Sequence, residues 1–379
     1  MRHLLEDLRA RESAMVNLLG RFVRAESPTD AKAAVDRFGR LVAAEWRKRG
    51  ARVQFLHQKH RGDHLRIELP ARGRSAGQIL LLGHLDTVYS LGTLSKMPFR
   101  VARGRAWGPG TFDMKAGHVI ALFTLDALRR AGIAPQKRIV CLWTTDEEVG
   151  SETSRPFIEK EALRSDAVLV LEPASGLDGK LKTSRKGVGD VELVVTGRAA
   201  HAGVNPQDGV NAVHELALQI ARVAKFNDPR RGITVNADII EGGTRPNVIA
   251  ERARAVVDLR IVRLADAKPL ERKFRALRPI LPGAKLEVRG GINRPPMERS
   301  AGVVALFRKA QHLAAELGLP LDESSTGGGS DGNFTAALGV PTLDGLGGVG
   351  EGAHAPNENV VIARLPERAA LLAALLASL

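Results

Sequence analysis

Apolar positions recur along this chain at two different spacings. Near the N-terminus, Leu4, Leu5 and Leu8, then Val16, Leu18, Leu19, Phe22 and Val23, fall on one helical face, so residues 1–50 are expected to be mostly helical. Ser27-Pro28-Thr29-Asp30 breaks that pattern and offers capping side chains for a next helix over about 31–49, which Gly50 ends. Short strands are expected near 53–56 and 65–69. Three later runs have no polar face at all: Ile79-Leu80-Leu81-Leu82, Ile139-Val140-Cys141-Leu142-Trp143 and Ala167-Val168-Leu169-Val170-Leu171. Strands of that kind are buried on both faces. With helical segments between them, they indicate a largely parallel sheet covered by helices on both sides.

From about Thr183 the pattern changes. A strand (187–196), a helix (210–223), two strands (234–241 and 254–262), a helix (269–277) and a strand (285–289) follow one another, the βαββαβ order of a ferredoxin-like unit. A helix over 301–317 and a strand at 341–343 then resume the first pattern. The expected fold class is therefore α/β: a mixed, mostly parallel sheet with helices on both faces, plus an inserted α+β ferredoxin-like domain. The expected boundaries are 1–182 and 292–379 for the sheet domain and 183–291 for the insert. No internal repeat or long linker is visible.

Composition adds limits. A length of 379 residues suits two domains, and a hydrophobic share of 44% supplies a core of ordinary size. Aromatic residues make up only 4%, so Leu, Val, Ile and Ala must fill most of that core. Cys141 is the only cysteine, which excludes an intrachain disulfide and leaves His and carboxylates as metal ligands. The first residues mix charges and lack the apolar core of a signal peptide, and no 18-residue apolar run occurs. A cytoplasmic protein without membrane contact is the expectation. The net charge of +14 is scattered, with neither aromatic interleaving nor a nucleic-acid motif, so no nucleic-acid partner is expected. Such a field can still attract a substrate that carries a carboxylate.

The chemistry gathers at strand ends. His84 and Asp86, two residues apart at the end of an apolar run, point the same way if the strand continues. A carboxylate beside a histidine can hold one ring N–H while the other nitrogen binds an ion. Covered parallel sheets place their sites beyond the carboxyl ends of the strands. Glu147, Glu148 and Glu172 also stand at such ends, and Asp113 follows a glycine-rich turn (108–113) at a helix start. His354 completes a set of two imidazoles and three carboxylates: His84, Asp113, Glu148, Glu172 and His354. Without a thiolate, this set suits two divalent ions such as zinc, cobalt or manganese, with one bridging carboxylate. Asp113, between the two halves of the set in the chain, is the natural bridge. In an extended segment Glu147 and Glu148 point apart, so one can be a ligand and the other a general base. Gly327-Gly328-Gly329-Ser330-Asp331 lacks the Gly-Lys-Ser/Thr ending of a phosphate loop, but its N–H groups could hold a carboxylate.

Taken together, His84-Leu85-Asp86, Gly110-Thr111-Phe112-Asp113-Met114-Lys115, Asp146-Glu147-Glu148, Leu171-Glu172-Pro173 and Gly352-Ala353-His354-Ala355-Pro356-Asn357-Glu358 resemble the M20 metallopeptidases. The nearest likeness is to the glutamate carboxypeptidase branch, of the carboxypeptidase G2 type, and it covers nearly the whole chain in order. The resemblance implies a co-catalytic di-zinc site. In it His84 and Glu172 would bind one ion and Glu148 and His354 the other, with Asp113 bridging, Glu147 as base and Asp86 orienting His84. Ala200-His201-Ala202-Gly203 resembles the lid-domain histidine of that family, which reaches the partner's site across a homodimer and stabilises the oxyanion. Arg245-Pro246-Asn247-Val248-Ile249 and Asp258-Leu259-Arg260 resemble positions that hold the substrate carboxylate, and Gly328 and Gly329 would lie near the same group. Secreted relatives begin with a signal peptide that this chain lacks, and Ala250 replaces a frequent proline. The expected activity is zinc-dependent cleavage of an amide bond next to a free carboxylate, with C-terminal glutamate as first substrate. Alternatives are a deacylase of acetylornithine or succinyl-diaminopimelate type, an N-carbamoyl amino acid amidohydrolase, or a catalytically silent ligand-binding protein on the same fold. The silent protein should have lost a ligand or the base, and all six positions are present.

Overall fold

The computed structural model describes residues 2–69 and 77–379, which form two compact units. The first comprises Met1–Ser184, Arg299–Ser325 and Ser330–Leu379; the second comprises Arg185–Glu298 with Thr326–Gly329. In chain order the first unit begins with α1 (Arg2–Ala10), α2 (Glu12–Arg24), α3 (Lys32–Lys48), β1 (Arg52–Leu56), β2 (His64–Leu69) and β3 (Gln78–His84). It continues with β4 (Arg100–Ala102), β5 (Arg105–Trp107), α4 (Ala116–Arg130), β6 (Arg138–Thr144), α5 (Arg155–Ala162), β7 (Ala167–Val170) and β8 (Leu181–Arg185). The second unit supplies β9 (Gly187–Thr196), α6 (Ala212–Val223), β10 (Thr234–Gly242), β11 (Arg252–Ile261), α7 (Ala267–Arg275) and β12 (Lys285–Arg294). The chain closes with α8 (Ala301–Glu316), β13 (Glu323–Thr326), α9 (Gly332–Ala337), β14 (Thr342–Leu343), β15 (Gly350–Glu351), β16 (Asn359–Val361) and α10 (Arg364–Ser378).

The three apolar runs are the centre of a six-stranded mixed sheet in the order β1-β2-β6-β3-β7-β14. β3 runs parallel to β6 and β7, and β14 runs parallel to β7; β2 is antiparallel to β6 and β1 to β2. β3 is buried along its whole length, and alternate residues enter different cores. Ile79 and Leu81 join Phe22, Phe38, Trp46, Leu122 and Leu372 in the larger one. Leu80 and Leu82 join Ile158 and Ala162 of α5 and Phe334 of α9 in the smaller one. That division puts helices on both faces and accounts for the missing polar stripe. Nearly every residue of α10 from Leu365 to Leu376 is buried, so this helix is an interior wall. Among the described residues no helix is long and apolar enough to cross a membrane.

A smaller sheet, β15-β16-β5-β4, lies outside the sequence expectations, because its strands are only two or three residues long. Asn359 of β16 pairs with Trp107 of β5, which brings Glu358 to the turn that follows β5. The segment 27–30 does not cap α3, whose N-terminus has no side-chain cap. Thr29 instead turns its hydroxyl to Asp86.

Within the second unit, β10-β11-β9-β12 form an antiparallel sheet, the ferredoxin-like strand order. Val191, Leu193 and Val195 alternate into a core with Leu216 and Val223 of α6 and Leu270 and Phe274 of α7. Asn211 caps α6 by accepting the N–H groups of Val213 and His214. The unit extends past residue 291, to Glu298. Gly290 and Gly291 lie beyond the expected strand end, but they have positive φ angles and stay in register opposite Val191 and Asp190, and β12 continues through a bulge at Asn293 to Arg294, opposite Val188. Residues 326–329 also count with this unit, since Lys186 donates its N–H to the Thr326 carbonyl and Arg185 and Arg260 hold the glycine carbonyls.

Candidate metal centre

Three parallel strands deliver the acidic and imidazole groups to one end of the first unit's sheet. His84 is the last residue of β3, Glu147 and Glu148 follow β6, and Glu172 follows β7. Leu85 N–H to the Thr144 carbonyl (2.8 Å) and Leu171 N–H to the Leu82 carbonyl (2.9 Å) extend the ladder past the strands and hold these ends level. Asp113 arrives from a wide turn over Thr111–Lys115. There the backbone is extended at Asp113 (φ −114°, ψ 96°), so α4 starts at Ala116 and not at the expected 114. His354 sits in a left-handed turn (φ 62°).

These side chains form two linked groups. Asp113 Oδ1 is 3.1 Å from His84 Nε2, and Asp113 Oδ2 is 3.5 Å from His354 Nε2. Glu172 Oε1 completes the first group, 3.4 Å from His84 Nε2. Glu148 Oε2 completes the second, 3.2 Å from His354 Nε2. His84, Asp113 and Glu172, and likewise Asp113, Glu148 and His354, could each offer three ligand atoms to one ion. One carboxylate thus divides its two oxygens between two sets of donors.

The His84 ring is oriented from behind. Its Nδ1 lies 2.9 Å from the Asp86 carbonyl oxygen and 3.5 Å from Asp86 Oδ1. A carbonyl can only accept, so Nδ1 carries the proton and Nε2 is the nitrogen offered to Asp113 and Glu172. The nearer partner is the backbone of Asp86 and not, as expected, its carboxylate. That carboxylate accepts the Thr29 hydroxyl (2.8 Å) and the Glu148 N–H (3.4 Å), so it fixes the turn that carries Glu148. Glu147 and Glu148 lie on a 3-10 turn, not on an extended segment, but successive residues on such a turn still diverge by about 120°.

Electrostatics at this cluster favour cations. Burial opposes charge on His84, but Asp113, Asp86 and Glu172 outweigh it and raise its pKa well above the ordinary value. Asp113, then Glu148, raise His354 to about 10. Burial pushes Asp113 up, but the two histidines hold it far below the usual carboxylate range. Burial raises Glu148. Glu148 Oε1 and Asp86 Oδ1 are buried and make no hydrogen bond among the described residues. Hard oxygen and borderline nitrogen donors, with carboxylate oxygens left over, fit a divalent ion.

Sequence reasoning missed the residues that hold this cluster in place. Glu358 is fully buried and accepts three backbone N–H groups, from Gly110 (2.8 Å), Phe112 (2.7 Å) and Asp113 (2.8 Å). Asp331 accepts the hydroxyls of Thr144 (2.9 Å) and Ser151, and Asp146 accepts Thr153 N–H and Oγ1–H (2.7 Å each), which ties down the segment on both sides of Glu147 and Glu148. Glu358 and Asp331 both lay inside segments singled out by pattern, but spacing carries no record of a backbone partner.

The second unit gathers the other expected residues. Ala202 N–H donates to the Asn247 carbonyl, and His201 bridges to Val248, so His201 and Asn247 are neighbours. His201 Nδ1 accepts the N–H groups of Gly203 and Val204 (3.2 Å each), which leaves the proton of a neutral ring on Nε2. Arg260 is paired with Asp258 through Nε (2.8 and 2.9 Å) and Nη2 (2.8 Å), and its Nη1 donates to the Gly327 carbonyl (3.3 Å). Gly328 and Gly329 turn their carbonyls to Arg185 Nη1 (3.2 and 3.0 Å), and Gly328 N–H goes to Thr326 Oγ1 (3.4 Å). The loop therefore orients arginines through its carbonyls, where an N–H cradle had been expected. Arg294, which packs its stem under Gly329, belongs to the same group and carried no sequence signal.

Residues 80–378 match the model of peptidase family M20/M25/M40. Carboxypeptidase G2 of Pseudomonas sp. is 34% identical over 376 residues, covering 97% of this chain and 90% of the relative. An acetylornithine deacetylase of Salmonella arizonae is 31% identical over 209 residues, about half of each chain. The crystal structure of the aminopeptidase PepT of Bacillus cereus superposes with a TM-score of 0.78 at 22% identity, covering 97% of this chain and 98% of that one.

Proposed function

The chain belongs to peptidase family M20/M25/M40 and is a carboxypeptidase-type hydrolase, and we propose that it cleaves an amide bond adjacent to a free carboxylate, with C-terminal glutamate as the first substrate to try. The observation that carries this reading is Asp113, whose two oxygens face His84 with Glu172 on one side and His354 with Glu148 on the other. In this reading these five residues hold two ions, with zinc the first choice and cobalt or manganese able to replace it. Such ions polarise a scissile carbonyl and make water acidic near neutral pH.

The remaining roles fall to side chains. Glu147, next to Glu148 on the turn, takes the proton of the attacking water and delivers it to the leaving amine. The Nε2–H of His201 is the donor for the developing oxyanion. Asn247 and the Nη1 side of Arg260 bind the substrate's free carboxylate, with Asp258 and the Gly327 carbonyl fixing the guanidinium plane. Gly328 and Gly329 support this subsite indirectly, through Arg185. The second unit, read as an inserted lid, provides the homodimer contact in this account.

A panel of N-acyl amino acids and dipeptides, assayed with zinc or cobalt, tests the reading alongside Glu147→Gln. Hydrolysis only of substrates with a free carboxylate next to the scissile amide is the expected result. Equal activity of the Gln variant would end the assigned role of Glu147. The partial likeness to acetylornithine deacetylase supports a second reading, and preference for short acyl groups on basic amino acids in the same panel would favour it.

A further inference from the structure

Glu358 clamps the Asp113 turn through both of its carboxylate oxygens. Its Oε1 accepts both Phe112 N–H and Asp113 N–H, and its Oε2 accepts Gly110 N–H. The same residue ends the turn that presents His354. Glu358 N–H goes to the Ala355 carbonyl (3.1 Å), Ala355 N–H goes to the Gly352 carbonyl (2.9 Å), and Tyr89 OH also donates to the Ala355 carbonyl (3.0 Å). The Glu358 carbonyl in turn accepts Gly108 N–H (3.2 Å). Asp113 and His354 come from segments far apart in sequence, and Glu358 is bonded to one turn through its side chain and to the other through its backbone.

We propose that Glu358 is a positioning residue that sets the span between Asp113 and His354, and thereby the affinity of the protein for the ion these two residues share with Glu148. The inference rests on the proposed two-ion reading of the cluster. The chemistry of the carboxylate explains why glutamate stands here. Both oxygens must accept, because the three backbone partners are N–H donors. Glutamine has the same shape but one acceptor, so its NH2 would face either Gly110 N–H or the Phe112 and Asp113 N–H groups. Aspartate keeps the charge but is one methylene shorter, so it cannot reach all three donors from an unmoved backbone.

The test is a titration of the full-length, metal-stripped chain with cobalt(II), followed by calorimetry and by the visible spectrum of the bound ion. Wild-type protein should take up two ions. Glu358→Gln should bind one of them about 10–100-fold more weakly, the usual range when a group supporting a ligand is lost. Its visible spectrum should change, and Glu358→Asp should recover part of the affinity. A wild-type chain that binds no ion refutes the two-ion reading itself. A wild type that binds two ions, with a Gln variant of unchanged affinities and spectrum, refutes the role of Glu358 alone. Should the Gln variant not fold, the Asp variant decides: unchanged affinities overturn the proposal and weakened ones support it.

Discussion

Gly347→Ala is a small change with a large expected effect. Gly347 follows β14 and approaches the chain end of β7 so closely that an added Cβ would lie 2.2 Å from the Leu171 carbonyl oxygen and 2.7 Å from that of Glu172. Real Cβ atoms essentially never come within 3.0 Å of such atoms, so the backbone must open by about 0.8 Å or more. The strand end has little freedom to yield. Leu171 N–H is bonded to Leu82 (2.9 Å), Leu346 N–H to Val170 (3.0 Å) and Gly347 N–H to Glu172 (2.9 Å). Overpacking costs about 1–3 kcal/mol, and losing the Gly347–Glu172 bond adds about 1 kcal/mol. A total of about 2–4 kcal/mol follows. The displaced residue is Glu172, so its carboxylate should shift by a similar distance, and a misplacement of ~1 Å can cost ~100-fold in rate. The assays are the urea midpoint and kcat/KM on the best substrate of the panel. Gly39→Ala is the contrasting case. It lies within α3, its new Cβ would meet only Leu85 Cδ1 at 3.5 Å, and it should stabilise by about 0.5–1 kcal/mol. A Gly347→Ala protein with the wild-type midpoint and wild-type kcat/KM would refute the steric argument.

Other outcomes are expected as well. Glu147→Gln should lower kcat by about 100- to 10,000-fold while cobalt uptake stays at the wild-type stoichiometry, which single-turnover assays with metal analysis can check. Chelation should abolish activity and lower the melting temperature, since an ion present at ~1,000 times its Kd adds ~4 kcal/mol of stability; a melting curve indifferent to chelator counts against a metal held by the folded state. Glu323, hydrogen-bonded to Arg299 and Thr183, has its carboxyl lowered to about 2 from the usual 4.5. Its folded pKa is depressed, so its stabilising contribution is complete above about pH 4.5 and is lost as pH falls toward 2. The pair lies at the surface, with Arg299 exposed and Glu323 partly so, so solvent screens the interaction and keeps the contribution small, and Arg299→Ala should flatten this part of the acid-unfolding curve.

The sequence was most legible where one physical demand acted alone. Ile79–Leu82, Ile139–Trp143 and Ala167–Val170 read as buried strands because both faces need apolar side chains, and the ligand candidates follow from where such strands end. The order of the insert's elements was readable because its central strands β9 and β11 alternate strictly, as in Val191, Leu193 and Val195. Backbone partners were not readable. Thr29 looked like a helix cap and instead supports Asp86, since a hydroxyl suits either use. Gly290 and Gly291 looked like a strand end and instead continue the strand in register toward a bulge at Asn293, because a glycine can stand at either place. The triple acceptor role of Glu358 depends on β16 meeting β5, a pairing of three-residue strands too short to leave a periodic signal.

The interruption of the first unit has a consequence for how a ribosome delivers this molecule. β7 is made well before β14, its neighbour in the sheet, and before α10, which walls the larger core. At about 5–20 residues per second, the strand Ala167–Val170 waits roughly 10–30 s as an unpaired apolar edge. During that interval nearly all of the second unit emerges as one continuous stretch, 185–298, and can close on its own core. Folding in the cell is therefore staggered, with the middle of the chain finished first. The nascent first unit is the species on which a holding chaperone would act.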